Sequence, residues 1–175
     1  MLIQATQLWD DDMAFIENIT FDELKSGDSA SIQRTLTLDD IKLFAIMSGD
    51  VNPAHVDADY AKNDMFHQII AQGMWGASLI SAVLGTELPG PGTIYLAQTL
   101  KFIAPVVPGD TITAMVTVID KNPEKHIVNL ECTCINQNDK TVISGVATVI
   151  APTVKVKRNR IELPKVMFKD QKRDT

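Results

Sequence analysis

The run Gly73-Met74-Trp75-Gly76-Ala77-Ser78-Leu79-Ile80-Ser81-Ala82-Val83-Leu84 is apolar or small nearly all the way round, and strand-like segments follow it. A helix with no polar face has to be buried. Four segments then read as strands, Thr93 to Phe102, Thr111 to Asp120, His126 to Asn136 and Thr141 to Ile150, separated by Pro-Gly-Asp, Asn-Pro-Glu and Asn-Asp turns. Val116, Val118 and Asp120 alternate with Met115, Thr117 and Ile119, as expected of antiparallel strands buried mainly on one face. One buried helix and a meander of long strands predict an α+β layer with an antiparallel sheet wrapped round a central helix.

Upstream, Ser26-Gly27-Asp28 marks a turn, and Ser29 to Arg34 suits a short strand. Thr37 with Asp40 three residues on has the form of a capping box, and Ile41, Phe44, Ala45 and Ser48 recur at helical spacing until Gly49. That helix delivers Asp50 to a loop. Pro53 fixes its own φ and biases Asn52 to an extended conformation, while the Asn52 side chain can bond nearby backbone, so the loop is expected to be stiff. Asp50 and His55 thus stand five residues apart on a short loop, and two proton-transfer groups there suit acid/base work on water. A second short helix is expected from Asp57 to Asn63.

Phe44, Ser48, Gly49, Asp50, Asn52, Pro53 and His55 together resemble the signature of the (R)-specific enoyl-CoA hydratases, the hydratase 2 or MaoC-like dehydratase group. The similarity continues from Asp57 to Pro152 and looks closest to the hydratase-like N-terminal portion of bifunctional enoyl-CoA hydratase/phosphate acetyltransferase proteins. The resemblance implies the hotdog fold, a homodimer or larger even oligomer, and interconversion of trans-2-enoyl-CoA with (R)-3-hydroxyacyl-CoA. It also implies Asp50 and His55 as the acid/base pair and the Gly73 backbone N–H as oxyanion donor. In Ala71-Gln72-Gly73-Met74, Gln72 stands where the group usually has His. A glycine at the start of a helix suits an oxyanion on its own chemistry, because the first N–H groups of a helix are unpaired and the dipole there is positive.

Asn52, Met65, Phe66, Trp75, Leu79 and Lys101 are the candidates for binding substrate, Lys101 as a cation for the CoA phosphates and the apolar residues for the acyl tunnel. His67 and His126 lie outside the motif and read as structural. No grouping of His, Asp and Glu has metal-ligand spacing, and no Gly-rich phosphate loop or Gly-x-Ser-x-Gly elbow is present. The chemistry implied needs no metal or redox cofactor, the CoA thioester being the substrate. Two rivals remain at this level: a hotdog acyl-CoA thioesterase, and a non-catalytic acyl-CoA binding or scaffolding module of a fused acyltransferase.

A length of 175 residues suits one domain. The expected organisation is an N-terminal extension over 1–13, the hydratase-like domain over 14–152, and a basic tail or linker over 153–175. The whole carries 16 Lys/Arg and 22 Asp/Glu; residues 155–175 hold eight and three of these, which leaves eight and 19 before them. So acidic a body repels nucleic acid. No apolar run reaches the roughly 20 residues that span a bilayer, and the N-terminus lacks the basic and apolar regions of an export signal, so a cytoplasmic protein is expected. Cys132 and Cys134, two apart on a strand, share a face and are expected to be reduced structural thiols.

Overall fold

The computed structural model describes residues 6–7, 15–164 and 166–168. In chain order its elements are β1 (Thr6–Gln7), β2 (Phe15–Glu17), β3 (Ser29–Thr35), α1 (Leu38–Ser48), α2 (Pro53–Val56), α3 (Ala58–Asn63), α4 (Gly73–Thr86), β4 (Ile94–Phe102), β5 (Thr111–Asn122), β6 (Ile127–Ile135), β7 (Thr141–Ile150) and β8 (Lys157–Asn159). The main sheet has the order β1-β3-β5-β6-β7-β4. Its five long strands are antiparallel, and β1 adds a short parallel edge against Ile32 and Gln33. The rest of the expected N-terminal extension lies outside the described residues.

Alternation decides which face of the sheet is buried. Ile112, Ala114, Val116 and Val118 of β5 and Val128, Leu130, Cys132 and Cys134 of β6 are buried, while Thr113, Met115 and Thr117 face outward. Trp75, Leu79, Ile80, Val83 and Leu84 of α4 pack into this layer, each contributing about 1.5–3 kcal/mol by leaving water. The antiparallel sheet with α4 against it is the hotdog arrangement. Both cysteines are free and buried, and burial pushes the Cys132 thiol up and the Cys134 thiol up to about 12.

Two features depart from the sequence expectation. The first is α4, which is covered on one side only: Met74 is 56% exposed, and Ser78, Ser81 and Gly85 are exposed along the same face. The sheet covers one side of the helix, and among the described residues no second layer covers the other. The second is the basic C-terminal segment, which is fastened to the body over its first part. β8 pairs with β2, Lys155 bridges Glu17 and Glu23, Lys157 bridges Glu17, and Arg160 bridges Glu87 at the end of α4. Asn18, 1% exposed, donates from Nδ2 to Pro91 O and Val154 O and accepts from Val156 N–H. Acidic side chains of the body neutralise the basic run locally, which charge counting along the chain does not reveal.

Among the described residues no helix is long and apolar enough to cross a membrane.

Candidate active site

The loop after α1 is built by a chain of short-range hydrogen bonds. Thr37 and Asp40 form the capping box, each side chain bonded to the other's backbone N–H, and Arg34 of β3 pairs with the same Asp40 carboxylate. Burial works against that carboxylate's charge, but the bonds from Thr37 and Arg34 outweigh it and hold Asp40 below the usual carboxylate range. At the other end, Gly49 has φ 76° and sends its N–H to Ala45 O, closing α1 with a left-handed residue that glycine adopts without strain. Ser48 Oγ donates to Phe44 O and accepts from Asp50 N–H. Asp50 Oδ1 accepts from Asn52 N–H, and Asn52 Oδ1 accepts from Ala54 N–H, capping α2 with Pro53 at its first position. The backbone from Ser48 to His55 is therefore fixed by its own side chains.

His55 is fixed from outside the loop. Its Nδ1 lies 2.9 Å from Ile70 O, so in the neutral ring Nδ1 carries the proton it donates and Nε2 is left as an acceptor. Nε2 stands 3.9 Å from Asp50 Oδ2. That is too long for a direct hydrogen bond and short enough for one water-sized group to touch both, since two bonds of about 2.8 Å span it. The His55 side chain is 11% exposed and that of Asp50 42%.

Beside His55 opens a cavity of about 470 Å³ whose wall includes Phe66, Gly73, Trp75, Phe102, Val106 and Ile143. Among the described residues His55 is the one titratable side chain lining it, so the wall is otherwise apolar or amide. Gly73 is the first residue of α4, a helix of 14 residues whose N-cap, Gln72, makes no capping bond. The Gly73 and Met74 N–H groups find no acceptor among the described residues. A Cβ on Gly73 would lie 2.9 Å from Cδ1 and Cε1 of Phe102, so glycine lets the ring close over the start of the helix. A carboxylate–imidazole pair, an apolar cavity and two helix-end N–H groups meet here.

The structure brings Asp50, His55, Gly73, Phe66 and Trp75 together and leaves out four other candidates. Asn52 Oδ1 is held in the cap of α2, and the residue is off the cavity wall. Met65 is 81% exposed and off the cavity wall. Leu79, one turn beyond Trp75, is 4% exposed in the core. Lys101 precedes Phe102 on β4, and since successive strand residues face opposite sides, it projects from the face away from the cavity. His67 and His126 both have left-handed backbone and stand off the cavity wall. Sequence reading missed Phe102, Val106 and Ile143, of which the first two belong to the apolar run before Pro108-Gly109-Asp110. It also missed the backbone carbonyl of Ile70, which no side-chain pattern advertises. Among the described residues no cluster of three or more His, Cys, Asp or Glu could hold a metal ion.

A family model described as a MaoC like domain matches residues 23–139. An (R)-specific enoyl-CoA hydratase of Rhodospirillum rubrum is 54% identical over 132 residues, covering 75% of this chain and 91% of that protein. A 3-hydroxybutyryl-CoA dehydratase of Methylorubrum extorquens is 41% identical over 132 residues, 75% of this chain and 83% of its own. Among solved structures, the unliganded R-hydratase of Pseudomonas aeruginosa superposes with a TM-score of 0.84 at 41% identity, covering 89% of this chain and 99% of that one.

Proposed function

The chain belongs to the MaoC-like family, and from that premise we propose that it is a hydro-lyase interconverting trans-2-enoyl-CoA and (R)-3-hydroxyacyl-CoA. The observation that carries the reading is the 3.9 Å gap between Asp50 Oδ2 and His55 Nε2, beside an apolar cavity that ends in free helix N–H groups. Two acceptors so placed hold both hydrogens of one water and leave an oxygen lone pair for C3 of the enoyl group. As oxygen bonds to C3, the pair takes one water proton, and the C2–C3 π electrons move to C2 and the thioester oxygen. The Gly73 N–H stabilises that oxygen, a donor worth about 10²–10³ in rate where such sites have been tested. Return of the proton to C2 completes addition of water. The (R) configuration is the one named for the Rhodospirillum rubrum relative.

We also propose a homodimer or larger even oligomer. The edge strand β4 exposes Ile94, Tyr95 and Leu96, and the open side of α4 exposes Met74. An unpaired apolar edge of this length is a pairing surface. Light scattering tests it, a mass of 19.2 kDa being the monomer.

The deciding experiment follows loss of the conjugated-enoyl absorbance when crotonyl-CoA and longer enoyl-CoA substrates meet the protein, with a thiol reagent in parallel. Absorbance loss without thiol release supports the hydratase. Thiol release identifies a thioesterase, and binding without turnover identifies a binding module.

A further inference from the structure

The segment leading into α4 is held from three sides. Ile70 is bonded to α2 twice, its N–H donating to Ala54 O and its carbonyl accepting from His55 Nδ1. Ala71 N–H donates to Val106 O at 2.8 Å. The third tie is a side chain: Gln72 Nε2 donates to Ile41 O, inside α1, at 3.3 Å. Gln72 is 2% exposed, and among the described residues its Oε1 has no hydrogen-bond donor. An amide turned the other way would set that oxygen against the Ile41 carbonyl.

A buried amide oxygen without a donor is destabilising, whereas an apolar side chain of the same length carries no such cost. The Ile41 carbonyl gains little, since it already lies within the α1 ladder. Stability therefore does not explain Gln72, but position does. Among the described residues no other hydrogen bond joins α1 to α4. α1 ends two residues before Asp50, and α4 begins with Gly73. The Gln72 bond thus ties the element that delivers the acid/base pair to the element that supplies the oxyanion donor.

We infer that Gln72 is a positioning residue, which fixes the Gly73 N–H relative to Asp50 and His55 through the Ile41 carbonyl. It acts through Gly73, its amide nitrogen being committed to Ile41 O. The inference rests on the hydratase reading. A shift of about 1 Å in such a constellation costs on the order of 100-fold in rate.

The test is Gln72→Met, similar in length and without polar atoms. With crotonyl-CoA, kcat is expected to fall by at least about tenfold while KM stays within about threefold and Tm is unchanged or higher. Gln72→His, which keeps a ring N–H donor, is expected to recover part of kcat. A purely structural Gln72 gives the opposite pattern, a lower Tm with wild-type kcat, and that result overturns the inference. Asp50→Asn runs in the same series: if it loses activity while Gln72→Met does not, the tether alone is wrong. If wild-type protein turns over no enoyl-CoA, the hydratase reading fails. Hydrogen exchange at the Trp75 amide, which bonds Gln72 O, then decides the tether, faster exchange in Gln72→Met supporting it and wild-type exchange overturning it.

Discussion

Asp50→Asn replaces one oxygen by an NH₂ group, and the surrounding bonds dictate which one. The Asn52 N–H requires an acceptor and lies 3.2 Å from Asp50 Oδ1, so the new amide keeps its oxygen there. The NH₂ then takes the place of Oδ2, 3.9 Å from His55 Nε2, and presents donors toward the imidazole acceptor. A water between them loses one acceptor and meets a competing donor for the other. General acid/base groups contribute about 10²–10⁴ in rate, so kcat is expected to fall by that factor, about 2.7–5.4 kcal/mol of barrier. Folding is little affected: the side chain is 42% exposed and its structural bond is kept. A change within about 0.5 kcal/mol moves Tm by roughly 1–2 °C at this chain length. The assay is the enoyl absorbance decay with crotonyl-CoA, alongside thermal unfolding. Because both groups serve one water, Asp50→Asn with His55→Ala is expected to lose little more than the worse single variant. Asp50→Asn retaining more than about a tenth of wild-type kcat at unchanged Tm would refute the shared-water geometry.

Gly73→Ala places a Cβ 2.9 Å from the Phe102 ring and should lower kcat by about tenfold or more through a displaced N–H. Phe102→Ala added to it should restore part of the loss, and an unchanged kcat in Gly73→Ala removes its N–H from the oxyanion role. The thiols of Cys132 and Cys134, buried and pushed up, are expected to give no reaction with a thiol reagent in the native protein and two equivalents in denaturant. Native reaction at either would contradict the packing of β6, and its absence keeps the thiol-release arm of the activity assay clean. Acid should loosen the C-terminal strap before the core. The Thr20 backbone N–H, with Lys155 and the Thr20 hydroxyl, lowers Glu23 from 4.5 to about 2. A carboxylate with a depressed folded pKa contributes stability above its unfolded value and loses it as pH falls through the folded one. Limited proteolysis within 155–160 should therefore rise between pH 4.5 and about 2 while the near-ultraviolet signal of the core persists. Simultaneous loss of both would refute a separate strap.

Much of this protein was legible along the chain because local rules carried it. The Thr37–Asp40 box, the Gly49 stop, the Asn52-Pro53 turn and the period-two pattern of Ile112 to Val118 each act within a few residues, and each stands where its chemistry predicts. The same holds for the stiffness between Asp50 and His55, although His55 stands on the short helix α2 and not on the expected loop. Tertiary packing alone decided that Asp50 Oδ2 and His55 Nε2 stop 3.9 Å apart, because the imidazole is aimed by the carbonyl of Ile70, 15 residues on. It also chose the cavity wall: Phe102 and Ile143 reach it as paired residues of β4 and β7, and Val106 from the loop after β4. The bulge between Tyr95 and Ala97 resets the alternation of β4, so counting from its start does not tell that Phe102 faces in and Lys101 out. The open side of α4 and the neutralised C-terminal strap belong to the same class. A helix pattern records that a side chain is apolar, and a charge count records its sign; which neighbour covers or pairs with it depends on residues brought near only by folding.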